Sequence, residues 1–413
     1  MSTAIPFGTY RDQDLQLHAG VAPDEVSFIS GETAWQEIYG FRTAKAKSPH
    51  FLKDPVWFQI GEQSLSSIGS ALPEDHSRMR RSMSHAFSDR AIRQQQPIIL
   101  NYVESLVAGL RDQLASDAGV VDIERWCSWT NFDLTGHLTF GKPFDCLSKR
   151  SDNSFNLVIS SLDSAATHLV AGQYFTITKR FPSWVFPRRM LKLMESRFEL
   201  LDGIQKLVHE RLDREPVLPG FMTEIAKDPT TYLLLRYPDT MKKLQKELRD
   251  AFATDDDMTL DALVSLPYLN AVIKEGLRFH PPIPTGLPRV APVGGATISG
   301  HFIPEGTAVY MSQYPANHSS RNFVNPDSFV PERWLNEPAF ANDKRDVWKP
   351  FSHGPRKLRG LAYAQMRFTL DKVVHAFDLD FVDSEDDRLD QKSFMVWEKK
   401  PLMVQLGAAK QGQ

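Results

Sequence analysis

Cysteine is almost missing from this chain: Cys127 and Cys146 are the only two in 413 residues. So sparse a supply excludes a disulfide-stapled scaffold and makes a reducing compartment the expected setting. Long apolar runs are missing too. The first 20 residues, MSTAIPFGTYRDQDLQLHAG, hold no run of about 18 apolar residues and no charged-then-apolar signal pattern. The expected protein is cytoplasmic and soluble, with no transmembrane anchor. Charge of one sign is not in excess: 48 Lys and Arg face 51 Asp and Glu, a formal net of −3, with no long like-charge run. Nucleic acid is therefore not an expected partner. Repeats and low-complexity segments are also absent.

What is present suits a large core, since 42% of the residues are hydrophobic. Ile99, Val103, Leu106, Leu110 and Leu114 recur at helical spacing, with Pro97 near the expected helix start, where proline is tolerated. Met241, Leu244, Leu248 and Phe252 predict a second helix, entered through Tyr237-Pro238-Asp239. Leu269, Val272, Ile273 and Leu277 predict a third over residues 269–279, stopped by Pro281 and Pro282. Further on, ATISGHFIPEGTAVYMS reads as a hairpin turning at Pro304-Glu305-Gly306. A helix is expected over 361–377, and SFMVWEKKPLMVQL as a last strand pair. The fold class is mainly α with small β-sheets, an α+β chain whose sheets gather towards the C-terminal half.

Glu275 and Arg278 stand three apart in KEGLRFHPP, on one face of the third helix, where they can pair. Alone, such a pair reads as a solvent-exposed ion pair worth little. PERW follows at 331–334, where Arg333 can complete a Glu-Arg-Arg cluster, and then comes FSHGPRKLRG at 351–360. Gly354 allows a tight turn there, Arg356 offers a guanidinium, and Gly360 permits close backbone approach.

In that order and at those gaps, these motifs resemble the cytochrome P450 family, over about residues 21–406. The likeness is to fungal P450s of secondary metabolism, the group that includes trichothecene hydroxylases. It is carried further by APDEVSFISG, DHSRMRRSMSHAFSDRAIRQQQP, FDLTGHLTFGKPFDCL, FVNPDSFVPERWL and LAYAQMR. The resemblance implies one P450-like domain over 1–413: an extension at 1–20, a mostly helical part at 21–285, and a sheet-containing part at 286–413 with the haem loop and C-terminal helix.

Four departures accompany it. The family's haem-ligating cysteine falls on Leu358, which has no lone pair for iron. The turn after it is short, because Gly360 runs straight into LAYAQMR. The long central helix that handles oxygen has no room, since five residues, 225–229, separate Glu224 from Thr230 and a domain-crossing helix needs about 20. The N-terminal anchor and first strands of the family are missing as well. The expectation is thus a P450 fold truncated at the N-terminus, lacking most of the central helix, with no metal and no cofactor.

Other family positions remain occupied. His76, Arg80, Arg289 and Arg356 match residues that contact haem propionates, and guanidinium groups pair bidentately with carboxylates. They form either an anion site or an inheritance without use. The implied substrate pocket includes Ser64, Ile283, Pro284, Thr285, Leu287, Phe394, Met395 and Val396, in the segments 64–72, 282–287 and 393–397. A cavity emptied of haem is either large and apolar or collapsed. Residues 174–189, YFTITKRFPSWVFPRR, correspond to a lid, with peripheral membrane contact as the second reading. His353 is a remote candidate iron ligand; Cys127 and Cys146 read as packing residues.

Three functions follow. The first is a haem-free enzyme that folds a hydrophobic terpenoid or polyketide for a non-redox cyclisation, a Diels–Alder-type cycloaddition being favoured. Its polarising groups would come from Arg289, Arg356, His76 or Thr285. The second is a P450 monooxygenase of a secondary metabolite, with haem and a reductase partner, in which a gene-model error or altered ligation explains Leu358. The third is an inactive relic that binds a metabolite or partner.

Overall fold

The computed structural model describes residues 18–22, 24–29, 33–40, 50–58, 68–69, 71–84, 88–116, 119–152, 230–252, 257–354, 360–383, 389–393, 397 and 400–409. Its helices are α1 (Ala34–Tyr39), α2 (Pro55–Phe58), α3 (Pro73–Met83), α4 (Asp89–Ser116), α5 (Ile123–Phe140), α6 (Cys146–Lys149), α7 (Thr230–Arg236), α8 (Pro238–Ala251), α9 (Leu260–Ser265), α10 (Pro267–Phe279), α11 (Gln313–Asn317) and α12 (Gly360–Ala376). Its strands are β1 (His18–Ala22), β2 (Glu25–Phe28), β3 (Leu52–Lys53), β4 (Val120–Asp122), β5 (Arg289–Val290), β6 (Ala296–Ile298), β7 (His301–Ile303), β8 (Ala308–Met311), β9 (Phe377–Phe381) and β10 (Met403–Ala408).

The helices form where apolar periodicity demands a buried face. Ile99, Val103, Leu106 and Leu110 on α4 are all buried, with Leu114 packed at the margin. α8 buries Met241, Leu244 and Leu248. Both α8 and α10 begin on a proline, whose missing N–H is harmless in a first turn. α5 is capped by the Asp122 side chain, which accepts from the Arg125 N–H at 3.3 Å, and ends on Gly141 in the left-handed region at φ 75°. These helices share one core with α7 and α12. A smaller core of Phe28, Trp35, Ile38, Val309 and Met311 lies against the larger sheet.

That sheet has five strands in the order β1-β2-β8-β5-β3, with β2 and β8 parallel and its other pairs antiparallel. A second sheet runs β4-β10-β9, and β6-β7 is a separate hairpin. Sheet residues therefore come from both ends of the chain, and β1 starts inside the segment expected to be an extension.

Several expectations are corrected. Pro97 lies inside α4, eight residues past its start. The helix runs through because Ile92 and Ile99 on either side are buried, which outweighs the lost hydrogen bond to the Arg93 carbonyl. The hairpin turns at Ser299-Gly300, where Ile298 pairs with His301. Pro304-Glu305-Gly306 instead carries the chain out of it to β8, whose last three residues are buried and join the larger sheet. Phe377 opens β9 rather than closing α12. Among its described residues the segment 393–406 pairs with itself in the Ser393–Trp397 bridge, and its end, β10, pairs with β9 and β4. Among the described residues no helix is long and apolar enough to cross a membrane.

Candidate functional site

Glu275, Arg278 and Arg333 converge with their side chains fully buried. Glu275 Oε1 accepts from Arg278 Nη2 at 2.8 Å, Arg333 Nε at 3.0 Å and the Val330 N–H at 2.9 Å. Its Oε2 accepts from Arg278 Nε at 2.9 Å and Trp334 Nε1 at 2.9 Å. Arg333 also donates to Asp343 Oδ2 at 2.6 Å, and Arg278 donates to the carbonyls of Asn317, Pro326 and Ser328. Two carboxylates thus sit among two guanidinium groups in a satisfied network, which ties α10 to the turns beyond α11. Trp334 and Asp343 are members that sequence reasoning missed.

Arg289 occupies a different place. It stands on β5, 5% exposed, with its guanidinium 5.3 Å from the Tyr39 ring centroid and 5.5 Å from that of Phe58. Among the described residues its side chain makes one hydrogen bond, to the carbonyl of Pro288 at 3.2 Å. Among the described residues no carboxylate pairs with it, neither Glu275 nor another. Burial pushes its pKa below the usual arginine value. Tyr39 holds the surroundings: its hydroxyl donates to the Leu287 carbonyl at 2.9 Å and accepts from the Met311 N–H at 3.2 Å. Burial raises the Tyr39 pKa to about 12, against the pull of the Arg289 charge. Lys53, also missed, is the cross-strand partner of Arg289 in the β3–β5 pairing; it is buried, lies over the same Phe58 ring, and donates to the carbonyls of Ile68 and Gly69.

The degenerate loop leans on the same helix end. Gly354 has φ +83°, and a Cβ there would meet the Tyr39 carbonyl oxygen at 2.0 Å. His353 Nε2 lies 2.7 Å from Gln36 Oε1 on α1, and Phe351 packs on Tyr363 of α12. Gly354→Ala is expected to cost about 2 kcal/mol, from left-handed strain and the clash together. A shift in the urea midpoint at unchanged slope measures it; an unmoved midpoint rules out that close packing.

His76 is buried on α3, and Arg80, one turn on, is half-buried with its pKa lowered by burial. Pro284 is buried; Ile283, Thr285 and Leu287 are half-buried in the loop that leads from α10 to Arg289. Ser393 Oγ is buried without a hydrogen-bond partner among the described residues. Ser64, Arg356, Leu358, Phe394, Met395, Val396 and the lid segment 174–189 lie outside the described residues. Among the described residues a cavity of about 60 Å³ lies between α5, α7, α10 and α12. Cys127, Asn131, Thr230, Ile273, Met366 and Thr369 line it, so it is neither large nor wholly apolar. Cys127 is half-buried there; Cys146 is buried in the main core.

Comparison with known proteins adds the family. The cytochrome P450 family model matches residues 22–231 and 230–406, breaking at the start of α7. Cytochrome P450 monooxygenase traB of Penicillium crustosum is 39% identical, over 97% of this chain and 87% of its own length. Cytochrome P450 monooxygenase lcsI of Purpureocillium lilacinum is 37% identical, over 94% and 81%. Averantin hydroxylase of Dothistroma septosporum is 33% identical, over 94% and 78%. The traB alignment spans 446 positions, while 97% of 413 residues is about 400, so about 45 of its positions have no counterpart here.

These relatives overturn the expectation of no cofactor, because P450 monooxygenases this similar over most of the chain imply haem. Haem carries two carboxylates around an iron, and the structure suits the two parts unequally. A carboxylate suits Arg289, a buried guanidinium with no carboxylate partner among the described residues. The iron is not suited by the haem-type loop: residues 351–360 contain no cysteine, and both cysteines stand elsewhere, on α5 and α6.

Proposed function

The chain belongs to the cytochrome P450 family, and from that premise we propose a haem-binding monooxygenase that hydroxylates an apolar intermediate of fungal secondary metabolism. The observation that carries the reading is Arg289, which holds a buried positive charge where no carboxylate of the described protein answers it. When bound, haem supplies the oxygen-activating chemistry of the family.

The residues of this chain bind and orient around it. Arg289 would pair with one haem carboxylate, with Lys53 beside it across the β3–β5 pair. His76, Arg80 and Arg356 are the further carboxylate partners that the resemblance assigns. Ile283, Pro284, Leu287, Phe394, Met395 and Val396 wall the substrate side and exclude water, with Ser64 and Thr285 as hydroxyl donors to an oxygen-bearing substrate. A reductase supplies the electrons. Leu358 stands at the family's ligand position, so the iron takes no thiolate from the loop. The break in the family match at residues 230–231 supports a shortened central helix.

The test is the absorbance spectrum of the full chain expressed with a haem precursor. A Soret band in folded protein is expected, with no thiolate-type shift under carbon monoxide. Folded protein without a Soret band overturns the reading.

Arg289→Met separates binding from folding. Haem affinity is expected to fall about tenfold or more, because a charge-assisted hydrogen bond is lost. The haem-free protein is expected to be no less stable than wild type, since an unpaired buried charge is removed. Haem titration and urea melts of the same preparation check both halves. Unchanged haem affinity counts against Arg289 as a carboxylate partner.

A further inference from the structure

Arg289 is held by rings more than by hydrogen bonds. Its guanidinium lies over Tyr39 at 5.3 Å and over Phe58 at 5.5 Å, centroid distances at which a ring face attracts a cation. Of its N–H donors, one reaches an acceptor among the described residues, the carbonyl of Pro288 next to it in the chain. A bond to the adjacent peptide does little to set the direction in which the other donors point. The rings must set it.

The two rings are anchored unequally. Phe58 is half-buried and has no polar handle. Tyr39 is 6% exposed, and Trp35 packs on it at 5.0 Å. Trp35 in turn donates from Nε1 to the Val347 carbonyl at 2.7 Å. The Tyr39 hydroxyl donates to the Leu287 carbonyl and accepts from the Met311 N–H. Those two groups belong to one register. β5 and β8 pair Arg289 with Val309 and Val290 with Ala308, so the same pairing carried two positions further sets Leu287 opposite Met311. The Tyr39 hydroxyl bridges them and extends the ladder past its last backbone pair. Gly286 beside it has no room for a side chain, since a Cβ there would meet the Met311 carbonyl oxygen at 2.4 Å. The ring that faces Arg289 is thus tied to the strand that carries Arg289 and to that strand's neighbour.

We propose that Tyr39 is a positioning residue for the carboxylate site at Arg289: its ring holds the guanidinium in the orientation that the carboxylate meets, and its hydroxyl anchors the ring to the β5–β8 edge. The identity of that carboxylate, one of haem, rests on the reading given above; the contacts between Tyr39 and Arg289 do not. A guanidinium oriented beforehand loses less rotamer freedom on binding, so affinity rises.

The test uses two variants. Tyr39→Phe keeps the ring against Trp35 and Arg289 and loses both hydroxyl bonds; Tyr39→Leu loses the ring as well. Urea midpoints are expected to fall in both. Haem titration of the full chain is expected to show binding weakened about fivefold in Tyr39→Leu and unchanged in Tyr39→Phe. In an Arg289→Met background, Tyr39→Leu is expected to weaken haem binding no further. A merely structural Tyr39 weakens it by the same factor in both backgrounds, and that result overturns the proposal, as does full haem affinity in Tyr39→Leu.

A second readout needs no haem. Phenylglyoxal labels arginine, and peptide mass spectrometry gives its rate at Arg289 relative to Arg278, which is fully buried and gauges global opening. The ratio is expected to rise about fivefold in Tyr39→Leu and to keep its wild-type value in Tyr39→Phe. An unchanged ratio in Tyr39→Leu overturns the proposal. If the chain takes up no haem, the haem reading fails by itself, and this ratio still decides whether Tyr39 holds Arg289.

Discussion

Glu275→Ala is expected to leave no stably folded protein. The carboxylate accepts five hydrogen bonds from four residues, and its side chain is fully buried. Removing it strands Arg278 with a positive charge answered by carbonyls, and leaves Arg333 with Asp343 and the carbonyls of Val324 and Asn325. Breaking a buried pair by deleting one partner costs about 3–5 kcal/mol, because the remaining charge stays desolvated. Domain stability is about 5–15 kcal/mol in all, so towards the low end of that range most of it is removed. Soluble yield and the urea midpoint read the effect. If the variant does not accumulate, Trp334→Phe removes one of the five donors and should cost about 1 kcal/mol. Arg93→Ala, which breaks the exposed pair with Asp261, should change nothing measurable. Wild-type stability in both Glu275→Ala and Trp334→Phe would show that the network is dispensable.

That network was half legible in the sequence. Glu275 and Arg278 follow from helical spacing, and Arg333 from the resemblance. Asp343 and Trp334 carry no periodic signal, because they enter through irregular turns whose path depends on the packed fold. Lys53 was out of reach for a similar reason. It lies 236 positions from Arg289 in the chain, and only the β3–β5 register sets the two side by side. Helices were easier: the faces of α4, α8 and α10 repeat within a few residues. Their neighbours in strands were not, since Ser299-Gly300 and Pro304-Glu305-Gly306 are both good turn formers. What decided between them was the buried run Val309–Met311, which finds its partners in β2 and β5 rather than in the adjacent strand.

The cofactor was misjudged for a different reason. The expectation of no cofactor weighs four departures, the lost ligand at Leu358 first, above the surrounding likeness, although iron ligation and carboxylate binding are separate interactions made by separate residues. Relatives 33–39% identical over most of the chain restore haem to the account. On the reading proposed above, the buried guanidinium of Arg289 is the part of the site that would meet a haem carboxylate.

Leu358→Cys is therefore expected to change the haem spectrum qualitatively. In the loaded wild-type chain carbon monoxide should give no thiolate-type band; in the variant it should give one. The side chains on either side in sequence are Lys357 and Arg359. Flanking cations lower a thiol pKa and favour the thiolate, the form that binds metal. The thiolate also donates the electron density that favours O–O cleavage, so substrate hydroxylation supported by a reductase should rise in the variant from its wild-type level. The two readouts separate two causes. A band with raised turnover means that one residue sets the deficit and the rest of the site is competent. A band without turnover places the remaining deficit elsewhere in the chain, with the break in the family match at residues 230–231 the first place to look. No band, from variant protein that still binds haem, means that the short run from Gly360 into LAYAQMR holds position 358 away from the iron, and the assignment of Leu358 to the ligand position fails.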